Sequence, residues 1–586
     1  MANKSGRKHL VNNVDDAVPE TLHGLCLTYP HLEYHKSHKV VFSPDWRERK
    51  DKVAVICGGG SGHEPFTAGY VGAGMLTASI SGSIFAAPPS THITHAIESV
   101  SMDNPPGVFI IVPNYTGDRL NFGIAIEKAR QAGIKVREIF VGEDCSISKE
   151  EQRGVGKRGL SGMIFVMKTA GALAESGRPL EDVDCIANVT LNNMATYGIG
   201  LSACSIPGQG LMFEMEPDEI ECGMGIHGEA GCEKVKIGSA TEVVALMLKN
   251  LCNSLFLVPE TEVAVLINNF GSLSQLEQGI VVYETVTQLR ALGVKPLRVY
   301  SGLLVTSLNS SGVHITILKL VEPHRNLLIR CLDAETRAPK WPGCFYSVPL
   351  ENPPTPFEEQ KKLQLPRNRG PTLNEEQSKL FKICLEAAAR AIVVQEQTLN
   401  KLDQGCGDGD CGSTLKRLSE GILSNLDSLP LSHPSSLLSE LANIAEETMG
   451  GTSGALYCLF FTNAAKELVS YKHKNWQITW AYLFRSSVNA LIKYGRCNVG
   501  DRSMLDTLEP ACKMYEKIKS SSNKKNFELV AAAAWEGCNS TKDMVPRVGR
   551  ASYVKNTKYL QEVDAGAFAS ATWISAILQA VILNNK

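Results

Sequence analysis

The sequence has no pair of cysteines in CxxC spacing, although it holds 17 cysteines in all. Their scattered placement and odd number argue against a disulfide framework and favour a reducing compartment, so a cytoplasmic location is expected. Runs of about 18 uninterrupted apolar residues, long enough to span a bilayer, are missing. Met1 to Asn13 is basic with no apolar run after it, which speaks against a secretory signal. A charge surplus is lacking too. With 59 basic and 61 acidic residues the formal net charge is -2, so neither nucleic acid nor an anionic membrane is expected as a partner. A P-loop is absent: Gly154-Val155-Gly156-Lys157 is followed by Arg158 rather than Ser or Thr, and its first glycine is misplaced.

What remains is the composition of a soluble globular chain, 44% hydrophobic and 20% charged, and 586 residues are too many for one core. The best boundary is the proline- and charge-rich stretch 346–372, read as a linker. Before it, in 1–345, short apolar runs end in polar turns. Val53 to Cys57 runs into Gly58-Gly59-Gly60, Val108 to Val112 into Asn114-Tyr115-Thr116-Gly117, and Val263 to Ile267 into Asn268-Asn269-Phe270-Gly271. Amphipathic stretches such as Phe122 to Gln131 lie between them, so the pattern predicts an α/β domain with ligand groups at strand ends. In 373–586 the grammar is helical. Leu380, Cys384, Ala388 and Ile392 share one face, and the apolar tail from Ala567 to Leu583 reads as a buried helix. An all-α second domain is expected.

The segment Asp403-Gln404-Gly405-Cys406-Gly407-Asp408-Gly409-Asp410 brings three carboxylates together through flexible glycines. Such a cluster repels itself unless it is solvated or neutralised, and Mg²⁺ is a hard ion that takes oxygen ligands and shares them with phosphates. Gly407, Gly409 and Gly412 also match GxGxxG, but they follow a helical pattern rather than a strand, and the aspartates would repel a bare pyrophosphate. Met449-Gly450-Gly451-Thr452-Ser453-Gly454 precedes an apolar run and suits either a phosphate cradle or close helix packing. Three turns stand out in the first half: Gly58 to Pro65 (GGGSGHEP), Asn114 to Gly123 (NYTGDRLNFG) and Gly225 to Gly231 (GIHGEAG). An aspartate or histidine at a strand end can accept a substrate proton, and a neutral histidine can attack a carbonyl carbon. Taken singly, each of these turns also suits a purely structural role. Cys222, His227 and Cys232 lack the close pairing of a zinc site.

In order, GGGSGHEP, NYTGDRLNFG, GIHGEAG, GDGDCG, MGGTSGALY and GRASY resemble the fused ATP-dependent dihydroxyacetone kinases, from Lys8 to about Ala580, and most of all their animal triokinase/FMN cyclase branch. The resemblance implies an N-terminal substrate domain of two α/β lobes, roughly 1–200 and 201–345, and a C-terminal ATP domain built as an eight-helix barrel. It implies that His227 binds the substrate carbonyl as a hemiaminal, and that Gly59, Gly60, Ser61, Gly62 and His63 hold the captured triose. Asp118 would then accept the proton of the attacking hydroxyl. Asp403, Asp408 and Asp410 would hold two Mg²⁺ ions on the ATP phosphates. Gly409, Cys411, Gly450, Gly451, Thr452, Ser453, Arg502, Ser503, Asp564, Ala565 and Gly566 would line the nucleotide. The expected activity is phosphorylation of dihydroxyacetone and D-glyceraldehyde by a homodimer. The alternative is cleavage of FAD to AMP and cyclic FMN with Mn²⁺ or Co²⁺ in the nucleotide site. The chain departs from the family pattern at Pro113, where lysine is usual, at Met167 in place of histidine, at Phe270-Gly271-Ser272 and at Ala565. Loss of the lysine points to a third reading, a kinase-weakened regulatory homologue.

Overall fold

The computed structural model describes residues 8–102, 106–147, 156–229, 231–343, 370–470, 475–518, 523–548, 550–553 and 560–584. The chain forms two compact units, residues 1–356 and 357–586. The expected linker lies outside the described residues as far as 369.

The first unit holds two six-stranded sheets. The first contains β1 (Glu33–His35), β2 (Val40–Phe42), β3 (Ala54–Ser61), β4 (Ala78–Ile84), β5 (Val108–Pro113) and β6 (Val136–Val141), in the order β1-β2-β4-β3-β5-β6. β3 runs parallel to β4 and β5, and β5 parallel to β6. Residues Ala54 to Cys57 and all of β5 are buried, as near-continuous apolar strands covered on both faces should be. Helices α1 (Ala17–Thr28), α2 (Ser90–Ser101), α3 (Thr116–Gln131), α4 (Met163–Glu175) and α5 (Leu180–Asn192) accompany this sheet.

The second sheet contains β7 (Met194–Gly200), β8 (Glu219–Cys222), β9 (Glu233–Lys236), β10 (Glu262–Asn269), β11 (Lys295–Gly302) and β12 (Gly312–Lys319), ordered β11-β10-β12-β7-β8-β9. Only β10 and β11 pair in parallel; the other pairings are antiparallel. Its helices are α6 (Ala240–Leu255), α7 (Gln275–Ala291) and α8 (Arg325–Asp333). The change of sheet falls before Met194, slightly N-terminal of residue 200. α4 is buried from Met163 to Ala174, and one apolar cluster joins it to residues of both sheets, among them Val55, Phe109, Leu266 and Leu318. Met167 lies in this cluster, where an apolar side chain fits without needing a hydrogen-bond partner.

The second unit is helical: α9 (Glu375–Val394), α10 (Glu396–Asp403), α11 (Cys411–Asn425), α12 (Pro434–Thr448), α13 (Gly451–Ser470), α14 (Trp476–Gly495), α15 (Leu505–Ile518), α16 (Lys524–Ser540) and α17 (Ala565–Asn584). α9 packs on α11, each of α11 to α16 packs on its successor, and α17 returns to α9. Among the described residues eight helices thereby close a ring, with α10 outside the count as the short lead into the acidic turn. The ring encloses an apolar cavity of about 870 Å³ lined by Phe381, Phe461, Trp480, Leu483 and Trp573 among others. α17 is long and apolar enough to cross a membrane; in this fold it forms one wall of the ring, between α9 and α16.

Candidate active site

The end of β3 and the start of α3 build one side of the site in the first unit. Gly59 and Gly60 let the backbone come close to its neighbours. A Cβ at residue 60 would stand 2.9 Å from the Ala86 nitrogen, and one at residue 59 would stand 3.5 Å from Pro113 Cγ and 3.9 Å from Asp118 Oδ1. Glycine here keeps the space before the aspartate open. The Ser61 hydroxyl is donated to Gly82 O at 2.9 Å, and Gly62 N–H to Glu64, so these two residues shape the turn. Asp118 is buried in the first turn of α3, and its Oδ1 has no hydrogen-bond partner among the described residues. Burial pushes its carboxyl up to about 7, and His227 only partly offsets that rise.

His63 is buried with Nδ1 2.8 Å from Thr306 O, so Nδ1 carries the proton and Nε2 is a bare acceptor. That Nε2 has no partner among the described residues. Burial, then the neighbouring His227, depress its pKa to about 3, so the ring is neutral at working pH. Its flat neighbour is Phe85, stacked at 5.0 Å and 18°.

His227 lies in the turn between β8 and β9. Its Nδ1 is 2.8 Å from Glu229 Oε1, and its backbone N–H donates to Glu229 Oε2 at 3.0 Å. Burial works to raise the Glu229 carboxyl, but the bond to His227 and the Arg158 guanidinium outweigh it and bring it to about 2. An ionised Glu229 fixes the proton on Nδ1 and leaves Nε2 as the nucleophilic nitrogen. Three rings meet His227 edge to face: His63 at 4.7 Å, Tyr115 at 4.6 Å and Phe85 at 5.3 Å. The structure thus brings His227, His63 and Asp118 together around two unpartnered buried acceptors. Glu229, Tyr115 and Phe85 were not singled out by the sequence reading. The first two lie inside the quoted turns, but their partners come from elsewhere in the chain or depend on the fold of the turn.

In the second unit the donor oxygens of Asp403, Asp408 and Asp410 lie within 4.8 Å of one another. Asp403 is at the end of α10, and its Oδ2 accepts the Gly409 and Asp410 amides at 2.9 and 3.2 Å, which folds the turn back on itself. Burial, then Asp408, raise the Asp410 carboxyl, the cost of like charges held together. This donor set fits Mg²⁺: oxygen ligands only, partly exposed, with room for waters and phosphates. Cys411 opens α11 beside it. Its thiol is pushed up to about 12 by burial first, then by the carboxylates of Asp403, Asp564, Asp410 and Asp408, so Asp564 belongs to the same neighbourhood.

Arg417, one turn into α11 beyond Thr414, ties this turn to the glycine segment. It donates to Thr448 O at 3.0 Å, Met449 O at 3.3 Å and Thr414 Oγ1 at 3.0 Å. Gly450 and Gly451 adopt φ of +71° and +60°, with open space where a Cβ would be, and α13 starts at Gly451 with Thr452 and Ser453 in its first turn. Arg502 is buried, with Nη2 2.9 Å from Glu562 O and Nε without a partner among the described residues. The Ser503 amide donates to Asp506, and Asp564 Oδ1 accepts from Ala567 N–H at 2.8 Å. Burial holds the Asp564 carboxyl up at about 6. Ala565 opens α17, and a Cβ at Gly566 would stand 3.2 Å from Asp564 Oδ1. Of GRASY, Gly549 and the side chains of Arg550 and Tyr553 lie outside the described residues.

The Dak1 domain matches residues 23–340 and the DAK2 domain residues 405–579. The chain belongs to the dihydroxyacetone kinase family. It is 38% identical to triokinase/FMN cyclase of Mus musculus, over 98% of each chain, and 38% identical to that of Homo sapiens, over 98% of this chain and 99% of the other. Dihydroxyacetone kinase 1 of Saccharomyces cerevisiae is 31% identical over 97% of this chain. Among solved structures, the dihydroxyacetone kinase of C. freundii in its native form is 30% identical with a TM-score of 0.66, covering 98% of this chain and 99% of that one. The same enzyme in complex with AMP-PNP and Mg²⁺ gives 0.65. Within the dihydroxyacetone kinase family, the two units thus correspond to the two named domains.

Proposed function

We propose that this chain transfers the terminal phosphate of ATP to dihydroxyacetone and D-glyceraldehyde, with the triose held on His227. The observation that carries this reading is His227 itself, its Nδ1 fixed by an ionised Glu229 and its ring faced by the open acceptors of His63 and Asp118. His227 Nε2 attacks the carbonyl carbon. As the C–N bond forms the carbonyl π bond breaks and its electron pair goes to oxygen, which takes a proton from water, while the Nδ1 proton leaves through Glu229 to water, so the neutral hemiaminal holds every atom of the triose. His63 Nε2 accepts the new hydroxyl's hydrogen bond. Glycerol has no carbonyl and is not captured. Asp118, poised near neutrality, takes the proton of the hydroxyl that attacks phosphorus. Asp403, Asp408 and Asp410 would hold two Mg²⁺ ions, which supply positive charge to the phosphate oxygens. The Gly450–Ser453 helix start cradles phosphate, and Arg502, Ser503 and the Asp564–Gly566 turn line the nucleotide. The test is ADP release by the pure chain with Mg-ATP and each triose. Release well above the triose-free rate is expected; background rates with both trioses would refute the proposal.

A second reading is FAD cleavage to AMP and cyclic FMN in the nucleotide site with Mn²⁺ or Co²⁺, supported by the triokinase/FMN cyclase relatives at 38% identity. It needs the acidic turn but not His227. A weakened regulatory homologue rests on Pro113 alone, and the retained His227, Asp118 and acidic turn count against it. We further infer a homodimer in a reducing cytoplasm, to be checked by light scattering and by fractionation.

A further inference from the structure

The stretch 156–159 fails as a P-loop because Arg158 stands where a hydroxyl residue is needed, yet it packs beside the His227 turn. Its backbone is tied down at three successive carbonyls. Lys157 O accepts from Asn114 Nδ2 at 2.6 Å, Arg158 O from the Glu143 amide at 3.1 Å, and Gly159 O from the Tyr115 hydroxyl at 3.0 Å. The Arg158 side chain is only 15% exposed. Its Nε donates to Asp144 Oδ2 at 2.7 Å, and its Nη2 lies 2.7 Å from the same oxygen. Asp144 is fully buried, and its Oδ1 accepts the Ser146 amide at 2.8 Å and the Ser146 hydroxyl at 2.7 Å. From this anchor the guanidinium reaches the segment that carries His227. Nη2 donates to Gly223 O, four residues ahead of the histidine. A Cβ at residue 225 would strike Glu229 Oε2 and stand 2.8 Å from Arg158 Nη1. The Glu229 carboxylate and the Arg158 guanidinium therefore face the same space, which stays open because residue 225 is glycine.

We propose that Arg158 is a positioning residue for triose capture: anchored on Asp144, it holds the His227 turn by the Gly223 carbonyl and sets a positive charge against the Glu229 carboxylate, which in turn aims His227 Nε2 at the substrate carbonyl. This rests on the reading that His227 captures the triose. The other groups around Glu229 supply no fixed cation. His227 belongs to the same turn, Tyr115 precedes α3, His63 follows β3 and His314 lies in β12. Burial first of all brings His63 and His314 to about 3, so both rings are neutral. Asp144 and Glu143, both after β6, bring only negative charge to this neighbourhood. Burial alone would raise the Glu229 carboxyl, and the guanidinium is one of the groups that overcome it. Without that charge the carboxyl takes up a proton at higher pH. His227 Nδ1 then loses its fixed acceptor, and nothing from Glu229 decides which ring nitrogen stays bare.

The test is native mass spectrometry of the full chain titrated with dihydroxyacetone, the adduct being followed as the pH is lowered. Arg158→Met/Asp144→Asn removes the guanidinium without leaving a lone buried charge. Its affinity for the triose should fall about 100-fold. The pH at which the adduct is half lost should lie about one unit higher than in the unmodified chain, since a cation no longer holds the carboxyl down. Arg158→Gln carries the same expectation and serves if the double variant does not fold. Arg158→Lys keeps the charge but not the fork, so it should return the half-loss pH to that of the unmodified chain while recovering only part of the affinity. Unchanged affinity in the charge-removing variants overturns the proposal. So does a loss of affinity with the half-loss pH unmoved, which is what a merely structural arginine would give. In either case an adduct that forms in the unmodified chain and is absent from His227→Ala leaves triose capture standing. No adduct in the unmodified chain overturns capture and the role of Arg158 together.

Discussion

Asp118 presents Oδ1 to a buried space without a partner, and the loss of hydration there lifts its carboxyl to about 7, above the ordinary range near 4. The proposal makes Asp118 the proton acceptor, and an acceptor must be deprotonated to work. kcat/KM for triose should therefore fall about tenfold per unit as the pH drops below about 7, and level off above it. Asp118→Asn should remove that limb and lower the rate about 10²- to 10⁴-fold at its plateau. A profile flat from pH 5 to 8 in the unmodified chain would contradict this role. Pro113 lies beside the same space, 3.5 Å from where a Gly59 Cβ would be, and brings neither charge nor donor. Pro113→Lys should raise turnover on dihydroxyacetone at constant Mg-ATP. An unchanged rate would show that the missing ammonium does not limit the reaction.

At the scale of elements, Arg417 joins the first turns of α11 to the carbonyls of Thr448 and Met449, just ahead of the start of α13. Arg417→Met should loosen the glycine segment at which the proposal places phosphate, raising KM for ATP about tenfold, the size of one charge-assisted hydrogen bond, while triose capture is unaffected. The sequence shows no motif at Arg417, because the contacts that tie it to the glycine segment are to backbone carbonyls more than thirty residues away. Other elements were easy to read. The runs at Val53, Val108 and Val263 fall in β3, β5 and β10, since buried strands leave continuous apolar stretches, but β3 runs on through Gly58 to Ser61 and β10 through Asn268 and Asn269, which the sequence reads as turns: strand pairing there is set by the neighbouring strands and not by apolar side chains. The stretch Phe122 to Gln131 became the body of α3, and the apolar tail became α17. The antiparallel pairing of β12 with β10 and β7 was not readable, because alternation and apolarity do not say which way a neighbour runs. Likewise GIHGEAG pointed to His227, but Glu229 as the group that sets its tautomer appears only once the turn is folded.

At the scale of the whole molecule, the proposed function assigns triose capture to the first unit and nucleotide binding to the second. Asp408→Asn, in the acidic turn, should lower triose phosphorylation and any FAD cleavage by at least about 100-fold. His227→Ala should abolish the first and spare the second, as measured by ADP release and by cyclic FMN formation in parallel. Loss of both in His227→Ala would contradict separate sites. The central claim is that a histidine captures the carbonyl before the phosphate arrives, and native mass spectrometry of the chain with dihydroxyacetone tests it most directly. The account predicts a gain of one whole triose, without loss of water, in the unmodified chain and none in His227→Ala. An adduct that persists in His227→Ala, or brisk phosphorylation by that variant, would contradict it.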